Sequence, residues 1–251
     1  MTNKSNINLK KNIKKKKAVN IKIFKKNHTA PVKKIISEKK INTIKETIKL
    51  NSKKIVIVHG WDGDITRGWF PWLKKILEDQ GFEVIMEQMP NDPTQPEIKA
   101  WTETLKNLVG NIDEETYFVG HSIGCQTIIR MLEKHESQKA GGAIFLAGWF
   151  NLKDYTYKEN PKLEKVTRKI AEPWILTKID FTQVQPKFLP GKITAIFSDN
   201  DPYVDLSNAE TFKKNLGARI LIENNKGHYS EAEIDMVPIL AQEILRITKK
   251  D

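Results

Sequence analysis

Thr116-Tyr117-Phe118-Val119-Gly120-His121-Ser122-Ile123-Gly124 is the stretch from which the fold can be read. Its first four residues are β-branched or aromatic and read as a strand. The run that leaves it, Cys125-Gln126-Thr127-Ile128-Ile129-Arg130-Met131-Leu132, reads as a helix. Between them stands a Gly-x-Ser-x-Gly turn. A tight strand-to-helix reversal needs residues without bulk where two backbones crowd, and Gly120 and Gly124 supply them. Such a turn lifts a serine hydroxyl above the end of a sheet. The pentapeptide alone suits equally a Ser122 that caps the following helix, so the flanking chain has to decide.

Working outward, Ile55-Val56-Ile57-Val58 is an apolar run with no polar alternation, as in a strand buried on both faces of a parallel sheet. After the loop His59-Gly60-Trp61-Asp62-Gly63-Asp64, a helix places Trp69, Trp72, Leu73, Ile76 and Leu77 on one stripe and ends at Gly81. Phe82 to Met86 reads as a strand, and Ile98, Trp101, Leu105 and Leu108 mark a helix with Pro96 in its first turn. Further strands are expected at Ala143–Ala147, Ile193–Phe197 and Arg219–Ile222, with helices at Ala209–Leu216 and from about Asp235. Alternating strands and helices imply βαβ units, a mostly parallel sheet and helices on both of its faces. Gly148 to Pro190 breaks the rhythm. It reads as a small lid insertion with two short helical pieces, around Leu163–Ile170 and Trp174–Ile179.

Charge is distributed unevenly along the 251 residues. Residues 1–40 hold fourteen Lys against a single acid, Glu38, out of 42 basic and 31 acidic residues overall. The remainder is therefore nearly neutral, and residues 1–50 are expected to form a basic, disordered tail ahead of a domain at 51–251. A lysine block attracts nucleic acid or an anionic surface without specificity; a solvated extension is the simpler reading. Cys125 is the single cysteine, so no disulfide forms within the chain, which fits a reducing, cytoplasmic setting. No apolar run is long enough for a membrane-spanning helix or a signal peptide. No Walker loop or Gly-x-Gly-x-x-Gly fingerprint is present, and no His/Cys cluster suggests a metal; no cofactor is expected.

In a parallel sheet the loops beyond the carboxyl ends of the strands collect the functional groups. Here they carry Ser122, then Ser198-Asp199-Asn200-Asp201-Pro202, then Asn225-Lys226-Gly227-His228. Serine, acid, histidine is the chain order of an α/β-hydrolase triad. Each residue type has its reason. A serine hydroxyl needs a base to become nucleophilic, an imidazole titrates near neutral pH, and a carboxylate holds that imidazole in the useful tautomer. Asp201 is the first choice of acid, with Asp199 and Asp205 as fallbacks. The oxyanion donors are expected to be the amides of Ile123 and of Trp61, with Asp62 as alternative to Trp61. His59 is expected to shape that loop, His121 to pack, and His135 to meet carbonyls at a helix end. Trp69, Trp72 and Trp101 read as core; Trp149, Phe150 and Trp174 as pocket lining or lid packing.

With these residues in place the chain resembles the small α/β-hydrolase-fold serine hydrolases of the retinoblastoma-binding-protein-nine and YdeN type. The resemblance covers about residues 53–249. It rests on Val58-His59-Gly60-Trp61 with Gly63-Asp64, Gly68-Trp69-Phe70-Pro71-Trp72-Leu73, Met89-Pro90-Asn91, Gly120-His121-Ser122-Ile123-Gly124, Ser198-Asp199-Asn200-Asp201-Pro202-Tyr203-Val204 and Gly227-His228. It implies an α/β-hydrolase fold, the triad Ser122, Asp201 and His228, and a small-molecule acyl substrate, a carboxylic ester or an amide. It also implies an alternative, a hydrolase-fold module that binds a protein partner with residual or no activity.

Overall fold

Ile55 and Ile57 join one buried apolar cluster, while Val56 and Val58 join another. A strand without a polar side is what a sheet covered on both faces requires, and the computed structural model has that arrangement. It describes residues 53–90, 94–136, 139–153 and 161–249; the basic tail expected at 1–50 lies outside them. Six strands form one sheet: β1 (Lys54–Val58), β2 (Glu83–Met86), β3 (Thr116–His121), β4 (Gly142–Leu146), β5 (Ile193–Ser198) and β6 (Arg219–Glu223). Their order is β2-β1-β3-β4-β5-β6, and all five pairings are parallel. The carboxyl ends of β1, β3, β4, β5 and β6 therefore share one rim.

Helices α1 (Trp69–Asp79) and α7 (Pro238–Thr248) cover the face that carries Ile55 and Ile57. Helices α2 (Ile98–Val109), α3 (Ile123–Lys134) and α6 (Ser207–Leu216) cover the other. Gly81 and Gly217 follow α1 and α6 with positive φ of 88° and 64°, as helix-ending glycines do. Three helix starts move from their sequence expectation, among them α7, which begins at Pro238 and not near Asp235. Helix α6 starts at Ser207, whose amide donates to Asp205 Oδ1 at 2.8 Å, and Pro96 lies ahead of α2, which begins at Ile98. No helix among the described residues is long and apolar enough to cross a membrane.

The insertion between β4 and β5 differs from its expected form. In place of two short pieces there is one helix, α4 (Pro161–Leu176), with Pro173 inside it, followed by α5 (Phe181–Val184) and a 3₁₀ turn at Gln185–Lys187. Proline removes a helical hydrogen bond and disfavours helical geometry before it. Tertiary contacts offset that cost. Buried Trp174 donates to Pro96 O at 3.0 Å, and the buried Arg130 guanidinium donates to Trp174 O at 2.7 Å and Thr177 O at 2.8 Å. A cation of α3 thus satisfies carbonyls that the end of α4 leaves open.

Helix α3 meets the end of β1 at Gly124. A Cβ there would stand 2.5 Å from both Val58 O and His59 O. Backbone cannot yield as a side chain can, so Gly124→Ala is expected to destabilise the fold by about 1–3 kcal/mol. Thermal denaturation checks this; an unchanged midpoint would contradict the packing described.

Candidate active site

The turn after β3 is strained in a way that helix capping does not require. Ser122 has φ 52° and ψ −122°, and its side chain makes no capping hydrogen bond. Its amide donates instead to Leu146 O at the end of β4, at 2.9 Å. A non-glycine residue at positive φ costs on the order of 1–3 kcal/mol and persists only where the surroundings enforce it. The two glycines enforce it by closeness. A Cβ at Gly120 would lie 2.8 Å from the Cys125 backbone, and one at Gly124 would strike β1 as above. Cys125 is buried against Gly120 O and Leu146 O, and burial raises its thiol far out of the reactive range.

Three of the sequence-nominated residues meet. Ser122 Oγ lies 2.9 Å from His228 Nε2, and His228 Nδ1 lies 2.7 Å from Asp201 Oδ2. A carboxylate only accepts, so Nδ1 carries the proton and Nε2 is left to accept from the serine hydroxyl. Asp201 is buried, and its other oxygen accepts from the amides of Tyr203 at 2.8 Å and Val204 at 3.0 Å, which turns Oδ2 toward the ring. The fallback acids point elsewhere: Asp199 accepts from Asn225 N, and Asp205 from Ser207 N.

The loops after β5 and β6 are stitched together by bonds that sequence reading did not find. Lys226 N donates to Ser198 Oγ at 2.9 Å, Gly227 N to Asn200 Oδ1 at 2.8 Å, and Asn225 N to Asp199 Oδ1 at 2.8 Å. Each bond joins residues 26–28 apart in sequence, and polar loop residues show no periodicity that could reveal them. On the far side of His228, Tyr229 sits at φ 54° with its carbonyl accepting from Trp69 Nε1 and its hydroxyl donating to Phe197 O.

His121 packs, as its position inside the turn suggests, and it also supports His228: its Nε2 donates to the His228 carbonyl at 2.8 Å, while its buried Nδ1 has no partner. His59 Nδ1 donates to Gly60 O at 2.7 Å and its Nε2 accepts from Met89 N at 2.8 Å, which fixes the tautomer and holds the loop after β1. A Cβ on Gly60 would stand 3.0 Å from Ser122 Cβ, so that loop runs directly against the serine. In it, Asp62 adopts φ 56° and the Trp61 indole donates to Thr94 O at 2.8 Å. Among the described residues the amides of Trp61 and Ile123 donate to no protein acceptor. His135 does cap α3, but its buried Nδ1 finds no carbonyl.

The three aromatic residues expected to line the pocket or pack the lid separate. Trp174 is packing, Phe150 lies against Phe181 and Phe212, and Trp149 Nε1 donates to Ser122 Oγ at 3.2 Å. No metal-binding group of three His, Cys, Asp or Glu occurs among the described residues.

Comparison with known proteins gives the family. Residues 55–234 match the family described as Serine hydrolase, and the chain belongs to that family. It is 30% identical to YdeN of Bacillus subtilis (strain 168) over 182 residues, which is 72% of this chain and 88% of YdeN. It is 24% identical to the serine hydrolase RBBP9 of Rattus norvegicus over 200 residues, covering 79% of this chain and 94% of that protein. The crystal structure of the B. subtilis ydeN gene product superposes with a TM-score of 0.68 at 28% identity, over 79% of this chain and all of that one. The α/β-hydrolase fold and the retinoblastoma-binding-protein-nine/YdeN kinship read from the sequence are thus found.

The buried histidines are expected to make the fold acid-sensitive. Burial, with the neighbouring His228, pushes the His121 imidazole down to about 3, and burial lowers His59 as well. Below pH about 6.5 the unfolded chain takes up protons at these rings that the folded chain refuses. Their contribution is therefore complete above that pH and is lost as the pH falls toward 3, by about 1.4 kcal/mol per unit for His121. Thermal melts between about pH 7 and pH 4 are expected to fall more steeply in the natural chain than in His121→Gln. Equal slopes would contradict the assignment.

Proposed function

We propose that this chain hydrolyses carboxylic esters through a catalytic triad of Ser122, His228 and Asp201 and a covalent acyl-enzyme. The observation that carries the reading is the unbroken relay: Oγ to Nε2 at 2.9 Å and Nδ1 to Oδ2 at 2.7 Å, on three loops of one rim. Hydrogen-bond contact between nucleophile, base and orienting acid is the arrangement that activates a serine. The turn at Gly120–Gly124 acts as the nucleophile elbow.

In the proposed reaction, His228 Nε2 takes the hydroxyl proton as Oγ attacks the acyl carbonyl. Asp201 steadies the imidazolium. The amides of Ile123 and Trp61, both without an acceptor among the described residues, receive the oxyanion. The imidazolium then protonates the leaving alcohol, and water activated by His228 releases the acid. A cleft of about 380 Å³ runs along α4, lined by Leu152, Lys153, Arg168, Ala171 and Ile175 among others. Of these, Lys153 donates from Nζ to the main-chain O of Asp201 at 2.6 Å and from its amide to Tyr203 O at 2.8 Å.

Turnover of a panel of short and long acyl p-nitrophenyl esters and matched amides tests the reading. Ser122→Ala and His228→Ala are expected to lower kcat by up to about a millionfold, and Asp201→Ala somewhat less. Full esterase activity in folded Ser122→Ala would overturn it.

A further inference from the structure

Ser122 Oγ has a second neighbour besides His228. The chain leaves β4 through Ala147 at φ 48° and Gly148, where a Cβ would strike the Phe212 ring at 2.6 Å and Cys125 Sγ at 2.9 Å. This tight passage delivers Trp149 to the serine, its indole N–H directed at Oγ at 3.2 Å. Both residues are buried, Trp149 with 2% and Ser122 with 5% of its surface exposed. The next residues are pinned: the amides of Phe150 and Asn151 donate to Asn208 Oδ1 at 2.8 and 3.2 Å, and Lys153 is tied to Asp201 and Tyr203. The Trp149 segment thus comes from the β4 side of β3, and the loop after β1 from the other side.

A buried indole N–H needs an acceptor, and here the acceptor is the oxygen whose charge changes most during the proposed reaction. In the free protein Oγ is a neutral hydroxyl, donating to Nε2 and accepting from the indole. In the acyl-enzyme the same atom is the single-bonded oxygen of an ester, a poor acceptor. When water attacks that ester, His228 takes one water proton and a tetrahedral adduct forms. The C–Oγ bond then breaks, its electron pair goes to Oγ, and the proton passes from Nε2 to that oxygen. A donor aimed at Oγ gains most where it begins weakest and ends beside a departing alkoxide. An interaction that strengthens between ground and transition state accelerates the step. For acylation the gain is smaller, because the starting hydroxyl already accepts the bond well.

Resting on the proposed triad, we propose that Trp149 is a catalytic hydrogen-bond donor to Ser122 Oγ that serves chiefly to expel the serine during deacylation. Its indole stabilises the enzyme's own leaving group.

Pre-steady-state hydrolysis of p-nitrophenyl acetate by the natural chain and Trp149→Phe tests this, since phenylalanine keeps the ring and removes the N–H. Deacylation, read as kcat, is expected to fall about tenfold or more, and KM to fall with it. The acylation term kcat/KM is expected to change less than about threefold, so a larger burst precedes slower turnover. A merely structural role would depress both steps together; that result, or an unchanged kcat, overturns the proposal. Turnover and burst that persist in Ser122→Ala would instead defeat the triad reading beneath it. A second measurement needs no folded Trp149 variant. Of the six tryptophan indole N–H resonances in the ¹⁵N-labelled natural chain, one is expected to move upfield in Ser122→Ala. No response from any of them would equally overturn the proposal.

Discussion

The close approach of α3 to the carboxyl end of β1 governs the site. With Gly124 within a few ångströms of the carbonyls of Val58 and His59, the helix can begin only if the preceding residue turns sharply. That residue is Ser122, and the turn carries it to φ 52° with its amide bonded to β4 rather than to its own helix. Strain at one non-glycine residue is the cost of a hydroxyl that stands off the sheet instead of capping the helix. β1, β3 and β4 converge at this point, so the loop of Gly60, the serine and the Trp149 segment are neighbours by topology.

The remaining partners arrive from β5 and β6, and their loops act as one unit. Backbone amides of the histidine loop bond side chains of the acid loop, and the His228 carbonyl accepts from His121 beside the serine. These bonds set the ring between Ser122 and Asp201 without substrate present, which is the preorganisation that acyl transfer exploits. The same burial leaves His121 with an unpartnered Nδ1 and keeps it neutral. Support for the relay and the expected sensitivity of the fold to acid therefore share one cause.

Much of the architecture is legible in the chain because burial on two faces prints uninterrupted apolar runs, as in Ile55–Val58, while one-sided helices print stripes, as in Trp69–Leu77. Ser122, Asp201 and His228 could be nominated from chain order, and the structure brings them together. The choice among Asp199, Asp201 and Asp205 is less visible, because all three accept backbone amides in neighbouring turns. What separates them is direction, which depends on the Tyr203 and Val204 amides. Helix α4 could not be read through Pro173, since the Arg130 that satisfies its terminal carbonyls stands 44 and 47 residues away. From the sequence, Trp149 reads as lining or packing. Its contact with Ser122 follows from the positive φ of Ala147 and the crowding at Gly148, neither of which leaves a pattern.

The central claim is that Ser122 is an activated nucleophile in the folded chain. Mapping a fluorophosphonate label by peptide mass spectrometry tests it most directly. Ser122 should carry the label, and His228→Ala should remove it while the protein stays folded. Folded natural protein that takes no label, or takes it at another residue, would contradict the claim and favour a hydrolase-fold binding module.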